Sequence, residues 1–235
     1  MKAFLNWSGG KDSALCLSIA KEQGIAVDAL VTSVNTVRDR ITMHGVRRSL
    51  LQQQAASVQL PLYSIELPAE PGMEAYEKAV SLSNAEMKNS GYGTAVFGDI
   101  FLEDLRLYRE KLYAKDGISC RFPLWKMKSS MVMKRFFDLQ FKAIVVCVNG
   151  ELLDPSFCGR LLDESFIRDL PRDVDPCGEN GEYHSFVFDG PYFNKPVDVR
   201  IGEITKEEYR SPSTGDCFTK PKDPVPFYYC DLLPA

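Results

Sequence analysis

Ser8-Gly9-Gly10-Lys11-Asp12-Ser13 is the stretch from which the rest of this chain can be read. The residues before it, Ala3-Phe4-Leu5, form the short apolar run that a buried strand uses. After it, Ala14 to Gln23 places Leu15 with Ile19, and Cys16 with Ala20, at helical spacing. Gly24 then stands where a helix C-terminal glycine belongs. The six residues are therefore a strand-to-helix turn, and the helix N-terminus points at whatever the turn holds. Such a turn suits an anion. Its two glycines let the backbone turn tightly and approach a ligand closely. The first N–H groups of the helix have no intrahelical partner, and the helix dipole favours negative charge there. Ser8 and Ser13 add hydroxyls, and Lys11 brings a charge that neutralises phosphate oxygens. Asp12 either caps the helix or helps to hold Mg2+. The GxxxxGK[ST] spacing of the common phosphate loop is absent.

Strand and helix signals alternate from here to Gly150. Asp28–Val34, Leu62–Leu67, Thr94–Phe97, Ile118–Phe122 and Ala143–Val148 read as strands, rich in β-branched and apolar residues. Gly45–Val58, Gly72–Ser90, Glu103–Lys115 and Ser129–Phe141 read as the helices between them. This predicts an α/β fold with a parallel sheet covered by helices on both faces. In such sheets ligands bind beyond the strand C-termini, at the topological switch point. The turn at Ser8–Ser13, the end of the second strand near Val34, and Gly98-Asp99 all lie at strand C-termini and can converge there. After Gly150 the texture changes to Pro, Gly, Asp and Asn, with one helix before Leu170 and short strands at 185–188, 197–204 and 227–232. We expect a nucleotide-binding domain over residues 1–150 and a smaller α+β, substrate-binding region over 151–235.

Composition narrows the class. The chain has 235 residues, 45% of them apolar, enough for a real core. No apolar stretch approaches the length of a membrane span, and the first strand begins at once, which reads as no leader peptide. Seven scattered cysteines argue against a disulfide framework and for a reduced, cytoplasmic protein. A net charge of −4 argues against a dedicated nucleic-acid binder.

The loop SGGKDS matches, at all six positions, the PP-loop of the ATP pyrophosphatases, and the chain resembles that superfamily. The resemblance implies the Rossmann-like fold of the adenine nucleotide alpha hydrolases (HUP). It also implies an ATP site whose loop holds the β- and γ-phosphates as a pyrophosphate leaving group.

A second cluster, Asp175-Pro-Cys-Gly-Glu179-Asn-Gly-Glu182-Tyr183-His184-Ser-Phe186, puts carboxylates beside an imidazole on a tight loop. Those groups suit acid–base work, Mg2+ ligation or a cationic substrate, or else form a solvated turn entering a strand. Gly178–Val187 resembles the GE-x-GE-[YF]-x-[TS]-F-V stretch of the diphthine–ammonia ligase family, the N-type ATP pyrophosphatases. So do Leu153-Asp154 through Gly159-Arg160 to Asp163, and Pro123-Leu124-Trp125. Two features depart from the archaeal and eukaryotic pattern. Gly98-Asp99-Ile100 replaces G-A-[IL]-x-S-x-Y-Q, which adds a carboxylate near the phosphates as a second Mg2+ ligand beside Asp12. The Tyr183-His184 pair is similar to a bacterial branch, for which the acceptor would be something other than diphthine.

The resemblance implies Ser8, Gly9, Gly10, Lys11, Asp12, Ser13 and Gly98 at the nucleotide, with the adenine near Thr32, Ser33 and Val34. Lys11, Asp12, Asp99, Glu182 and His184 are the catalytic candidates, and Glu179, Glu182, Tyr183, His184 and Arg160 the substrate-binding ones. His44, with Arg47 and Arg48 nearby, either faces the nucleotide or merely begins a helix. Arg160 either contacts a ligand or pairs with Asp154 or Asp163. Cys158, Cys177, Cys217 and Cys230 lack zinc spacing and read as buried thiols. Lys126, Lys128, Lys134 and Arg135 read as a solvated face.

The expected reaction is ATP-dependent. A carboxylate on a small molecule or modified protein attacks the α-phosphate, pyrophosphate leaves, and ammonia displaces AMP to form an amide. A tRNA-modifying PP-loop enzyme and a non-catalytic ATP or AMP sensor are the competitors. Pairing of the late strands across a homodimer is left open.

Overall fold

The computed structural model describes residues 2–69, 71–209 and 224–235. Its first half runs β1 (Lys2–Asn6), α1 (Lys11–Glu22), β2 (Val27–Asn35), β3 (Arg40–Ile41), α2 (Arg48–Ser57), β4 (Leu62–Leu67), α3 (Met73–Asn89) and β5 (Tyr92–Val96). It continues with α4 (Glu103–Lys115), β6 (Ser119–Arg121), α5 (Ser129–Asp138), β7 (Lys142–Asn149), α6 (Glu164–Asp169), β8 (Tyr183–Asp189), β9 (Val199–Tyr209) and β10 (Val225–Pro234).

Five strands make the expected parallel sheet: β4, β2, β1, β5 and β6 lie side by side in that order. Alternate side chains of each strand feed opposite faces. Leu5, Leu30 and Val96 share one apolar cluster with Leu15 and Ile19 of α1 and Leu50 and Leu51 of α2. Phe4, Ala29, Val31 and Ala95 share the other with Val80 and Met87 of α3 and Leu112 and Tyr113 of α4. Helices on both faces explain why these strands read as unbroken apolar runs. The fold is thus the Rossmann-like α/β sheet. The order reverses between β1 and β5, so the crevice opens between the segments that follow these two strands.

Ala143–Val148 is the exception. The strand forms as expected, but β7 pairs antiparallel with β8 and β10 in a second sheet of order β8-β7-β10-β9. Both its faces are covered, so it carries the same apolar signature as a parallel central strand. Periodicity does not separate the two cases. The division expected at Gly150 therefore falls just after a strand of the second sheet. One core runs through both units, from Leu15 and Leu51 to Val145, Phe166 and Phe186.

The segment from Asn35 to Arg40 leads into the short β3, which turns back on Val34 and Asn35 of β2. The backbone bonds Ile41 N to Val46 O and Gly45 N to Ile41 O close a hairpin there. That hairpin delays α2 to Arg48, three residues beyond the expected start at Gly45.

Candidate active site

The Ser8–Ser13 loop leaves β1 and turns into α1 at Lys11. Gly9 takes φ +78°, and a Cβ there would lie 2.6 Å from Leu51 Cδ1. At Gly10 a Cβ would lie 2.7 Å from the His44 ring. The two glycines are required by crowding on the loop's inner side. Ser8 Oγ accepts from Gly10 N at 3.2 Å, and Ser13 Oγ donates to Gly10 O at 2.9 Å. Helix geometry leaves the amides of Asp12 and Ser13 without intrahelical partners. Gly98, following β5, closes the opposite wall, where a Cβ would meet the Asp12 backbone at 3.0 Å.

Lys11 is only 3% exposed. Its Nζ lies 2.8 Å from Asp12 Oδ2 and 5.2 Å above the Tyr183 ring. Burial works against the ammonium, but the Asp12 carboxylate, together with Tyr183 and Cys177, more than offsets it and holds the pKa above the usual lysine range. Burial also raises the Asp12 pKa, against the pull of Lys11. The second Asp12 oxygen, Oδ1, is buried with no hydrogen-bond partner.

Strand β8 closes over the loop from the second sheet. Ser185 Oγ accepts from Lys11 N at 3.1 Å, and Val187 N donates to Gly9 O at 2.9 Å. The Ser185 carbonyl meets His44 Nδ1 at 3.0 Å, so that nitrogen carries the proton. His44 and His184 stack with ring centroids 4.6 Å apart, and His184 Nε2 is buried without a partner. Burial pushes the His44 pKa down to about 4. The His184 pKa lies well below its usual value, through burial and then through His44. Both imidazoles are neutral near pH 7, so they offer single donors and acceptors, not cations.

The carboxylates divide by role. Asp99 is held by Arg109, with Nε 2.8 Å from Oδ2 and Nη2 donating to Oδ1 at 3.3 Å. That pairing gives the Asp99 carboxylate a guanidinium partner at a position where the sequence suggested a second Mg2+ ligand. Glu182 is 2% exposed, and both its oxygens face its own loop. Oε1 accepts from Asp175 N and Asn180 Nδ2, and Oε2 from Asn180 N, at 2.9 to 3.1 Å. Glu182 therefore ties its own loop together with both oxygens engaged, at a position where the sequence suggested a catalytic group. Glu179 accepts from Ile100 N at 2.8 Å and is pushed up to about 7 by burial and then by Asp12. Among the described residues no group of three or more His, Cys, Asp or Glu side chains is placed to hold a metal ion. Asp12 Oδ1 alone fits a supporting ligand to an ion carried mainly by phosphates.

Other expected contacts fall elsewhere. Arg47 pairs with Asp231, and Arg48 with Glu66 and Asp39, so neither guanidinium is free for a nucleotide. Arg160 bridges Asp169 at 2.7 Å, stacks on Phe157 and Phe166, and helps to lower the Asp163 pKa from a distance. Val34 is a core residue and Ser33 O accepts from Thr42, whereas Thr32 keeps a buried Oγ1 without a partner. Tyr183 is buried beneath Lys11, its hydroxyl donating to Pro176 O. Cys158, Cys177 and Cys230 are buried free thiols, while Cys217 lies outside the described residues.

Sequence reasoning missed Gln54, Arg109 and Trp7. Gln54 left a signal: it falls in the apolar stripe made by Leu50, Leu51 and Ala55 of α2 with Val58 just beyond its end, where a buried amide needs an explanation.

The chain is 26% identical over 221 residues to the diphthine–ammonia ligase of Bos taurus, with 84% of this chain and 82% of the relative covered. It is 25% identical to the human diphthine–ammonia ligase over the same span and coverage. Residues 1–120 match the diphthamide synthase N-terminal domain, and residues 128–215 match the diphthamide synthase C-terminal domain. With both domains matched in order along one crevice-bearing fold, the chain belongs to the diphthamide synthase family.

Proposed function

We propose that this protein is an ATP-dependent ligase that adenylates a substrate carboxylate and joins it to ammonia as an amide. Its relatives carry the name diphthine–ammonia ligase, which names a modified-protein acceptor and ammonia for them. The single observation that carries the reading is the anion loop at the switch point, with a buried, charged Lys11 and backbone amides facing the β1–β5 crevice.

In this reading Lys11, Ser8, Ser13 and the first amides of α1 receive the β- and γ-phosphates. Asp12 Oδ1 would help to hold a Mg2+ ion, which would supply further neutralisation of phosphate charge. An acceptor carboxylate oxygen bonds to the α-phosphorus as the bond to pyrophosphate breaks. Lys11 and the helix N-terminus neutralise the charge that gathers on the leaving group. Ammonia then attacks the acyl carbon, AMP departs, and one proton is lost to form the amide. The neutral His184 Nε2 is our candidate to orient the acceptor or take that proton. The adenine lies by Thr32. Residues 1–150 supply most of the nucleotide site, and the 175–182 loop lines the acceptor side.

Phosphorus NMR of the protein with MgATP, ammonium and a metabolite extract tests this directly. AMP and pyrophosphate, lost in Lys11→Ala, are expected. ADP and phosphate would overturn the reading.

A further inference from the structure

Gln54 stands apart from the reacting groups, yet it touches the loop that holds them. It is completely buried on the core-facing side of α2. A carboxamide in that position is costly unless every polar atom is bonded. Its Oε1 accepts from the Trp7 indole N–H at 2.6 Å. Its Nε2 donates to Gly9 O at 3.0 Å and to Val187 O at 2.6 Å. Gly9 O also accepts from Val187 N. One side chain thus ties the end of β1, the anion loop and β8 into a closed ring of bonds.

The chemistry asks for an amide. Trp7 can only donate, and the two carbonyls can only accept, so the group between them needs one acceptor and two donors. An ionised glutamate only accepts, and a methionine of similar length does neither job well. Gly9 is the left-handed residue of the loop, and a Cβ placed on it would lie 2.9 Å from Gln54 Oε1. Gln54 therefore packs against the very turn that aims the loop's amides.

We infer that Gln54 is a positioning residue that locks the anion loop to β8, so that the nucleotide site and the acceptor loop at 175–182, which runs straight into β8, move as one unit. The inference rests on reading Ser8–Ser13 as a triphosphate site. Without the amide, Val187 O loses its side-chain partner and Gly9 O keeps one bond of two. The loop's amides then lose their fixed aim, and ATP binding weakens while the fold survives.

The test uses the full chain, calorimetric titration with MgATP, and backbone hydrogen exchange. Gln54→Glu and Gln54→Met should each weaken ATP binding by about 10-fold, the effect of losing one to two buried hydrogen bonds. Trp7→Phe, which removes only the donor to Oε1, should weaken it by roughly 2- to 3-fold on the same scale. In the unaltered chain ATP should slow exchange of the Val187 amide together with the loop amides. In Gln54→Met it should slow the loop alone, a selective loss that a general destabilisation would not produce. Binding within 2-fold of the unaltered chain in both Gln54 variants, with binding lost in Lys11→Ala, would overturn this inference and leave the ATP reading standing. No ATP binding by the unaltered chain would overturn both. If neither Gln54 variant folds, protection of the loop without protection of Val187 in the unaltered chain is the overturning result.

Discussion

The anion loop and the 175–182 loop are both short, rich in glycine and supplied with carboxylates, yet they are held in opposite ways. The first is gripped from outside. Gln54 and Val187 hold Gly9, and Ser185 holds Lys11, which leaves Lys11 and Asp12 to present charge to the crevice. The second grips itself. Asp175 Oδ2 accepts from the amides of Cys177 and Glu179, and Glu182 accepts from those of Asp175 and Asn180. A loop that uses its own carboxylates as struts has fewer left for chemistry. In the second loop Glu179 is the carboxylate that reaches out, to Ile100 beside the anion loop. Residue type in a motif does not distinguish a strut from a reagent; the direction of its hydrogen bonds does.

The sharpest way to break this contrast is at Lys11. Lys11→Met should reduce AMP formation by on the order of 100- to 1,000-fold, as expected for loss of a preorganised cation at the leaving group. Thermal melting should show a folded but less stable protein, because Asp12 loses its partner. Activity near that of the unaltered chain would mean that the loop is only a turn.

Glu182 is the counterpart. Glu182→Gln should lower unfolding stability by roughly 1–3 kcal/mol, since one backbone amide then faces an NH2 group in a buried site. AMP formation per folded molecule should stay within a few-fold. Unchanged denaturant midpoints with abolished turnover would reverse the assignment and make Glu182 a reagent.

A third test uses pH. Glu179 has its folded pKa raised to about 7, against an ordinary value of 4.5. Between those values the folded state holds a proton that the unfolded chain has released, so stability falls as pH rises from about 4.5 to about 7. Glu179→Gln should remove that slope, melting higher than the unaltered chain at pH 8 and alongside it at pH 4.5. His44 acts with the opposite sign. Its folded pKa, about 4, lies below the ordinary 6.5, so its contribution is complete above 6.5 and is lost as pH falls towards 4. A melting series that keeps the Glu179→Gln chain acid-sensitive in that lower window would separate the two groups.

The smallest effect belongs to Arg160. Its partner Asp169 is half exposed, and exposed ion pairs contribute about 0–1 kcal/mol. Arg160→Gln should leave ATP turnover unchanged and shift the melting temperature by no more than a few degrees. A large loss of turnover would put Arg160 back at the acceptor site.

Much of this was legible in the residues. The strand–loop–helix reading of residues 3–24 holds with Gly24 at φ +74° past the helix end, because a left-handed helix stop and a buried strand each leave a local signature. Thr94–Phe97 and Glu103–Lys115 were equally plain for the same reason. Gly98 could be placed near the loop because strand C-termini in a parallel sheet share one edge. Ala143–Val148 reads rightly as a strand but not as a member of the second sheet, since burial on both faces erases the alternation that marks an antiparallel strand.

What the amino-acid sequence determined by itself was the type of the main elements, the strand-to-helix turn at Ser8–Ser13 and the family. These depend on short-range spacing, backbone preferences and contiguous motifs. What only the tertiary structure decided was partnership. Asp99 met Arg109, Glu182 met its own loop, His44 met His184, and Gln54 met three separate chain segments. Hydrogen bonds and ion pairs act over about 3 Å in space, whatever the distance along the chain. Trp7, Gln54 and Val187 come into that range only once both sheets have closed on one core.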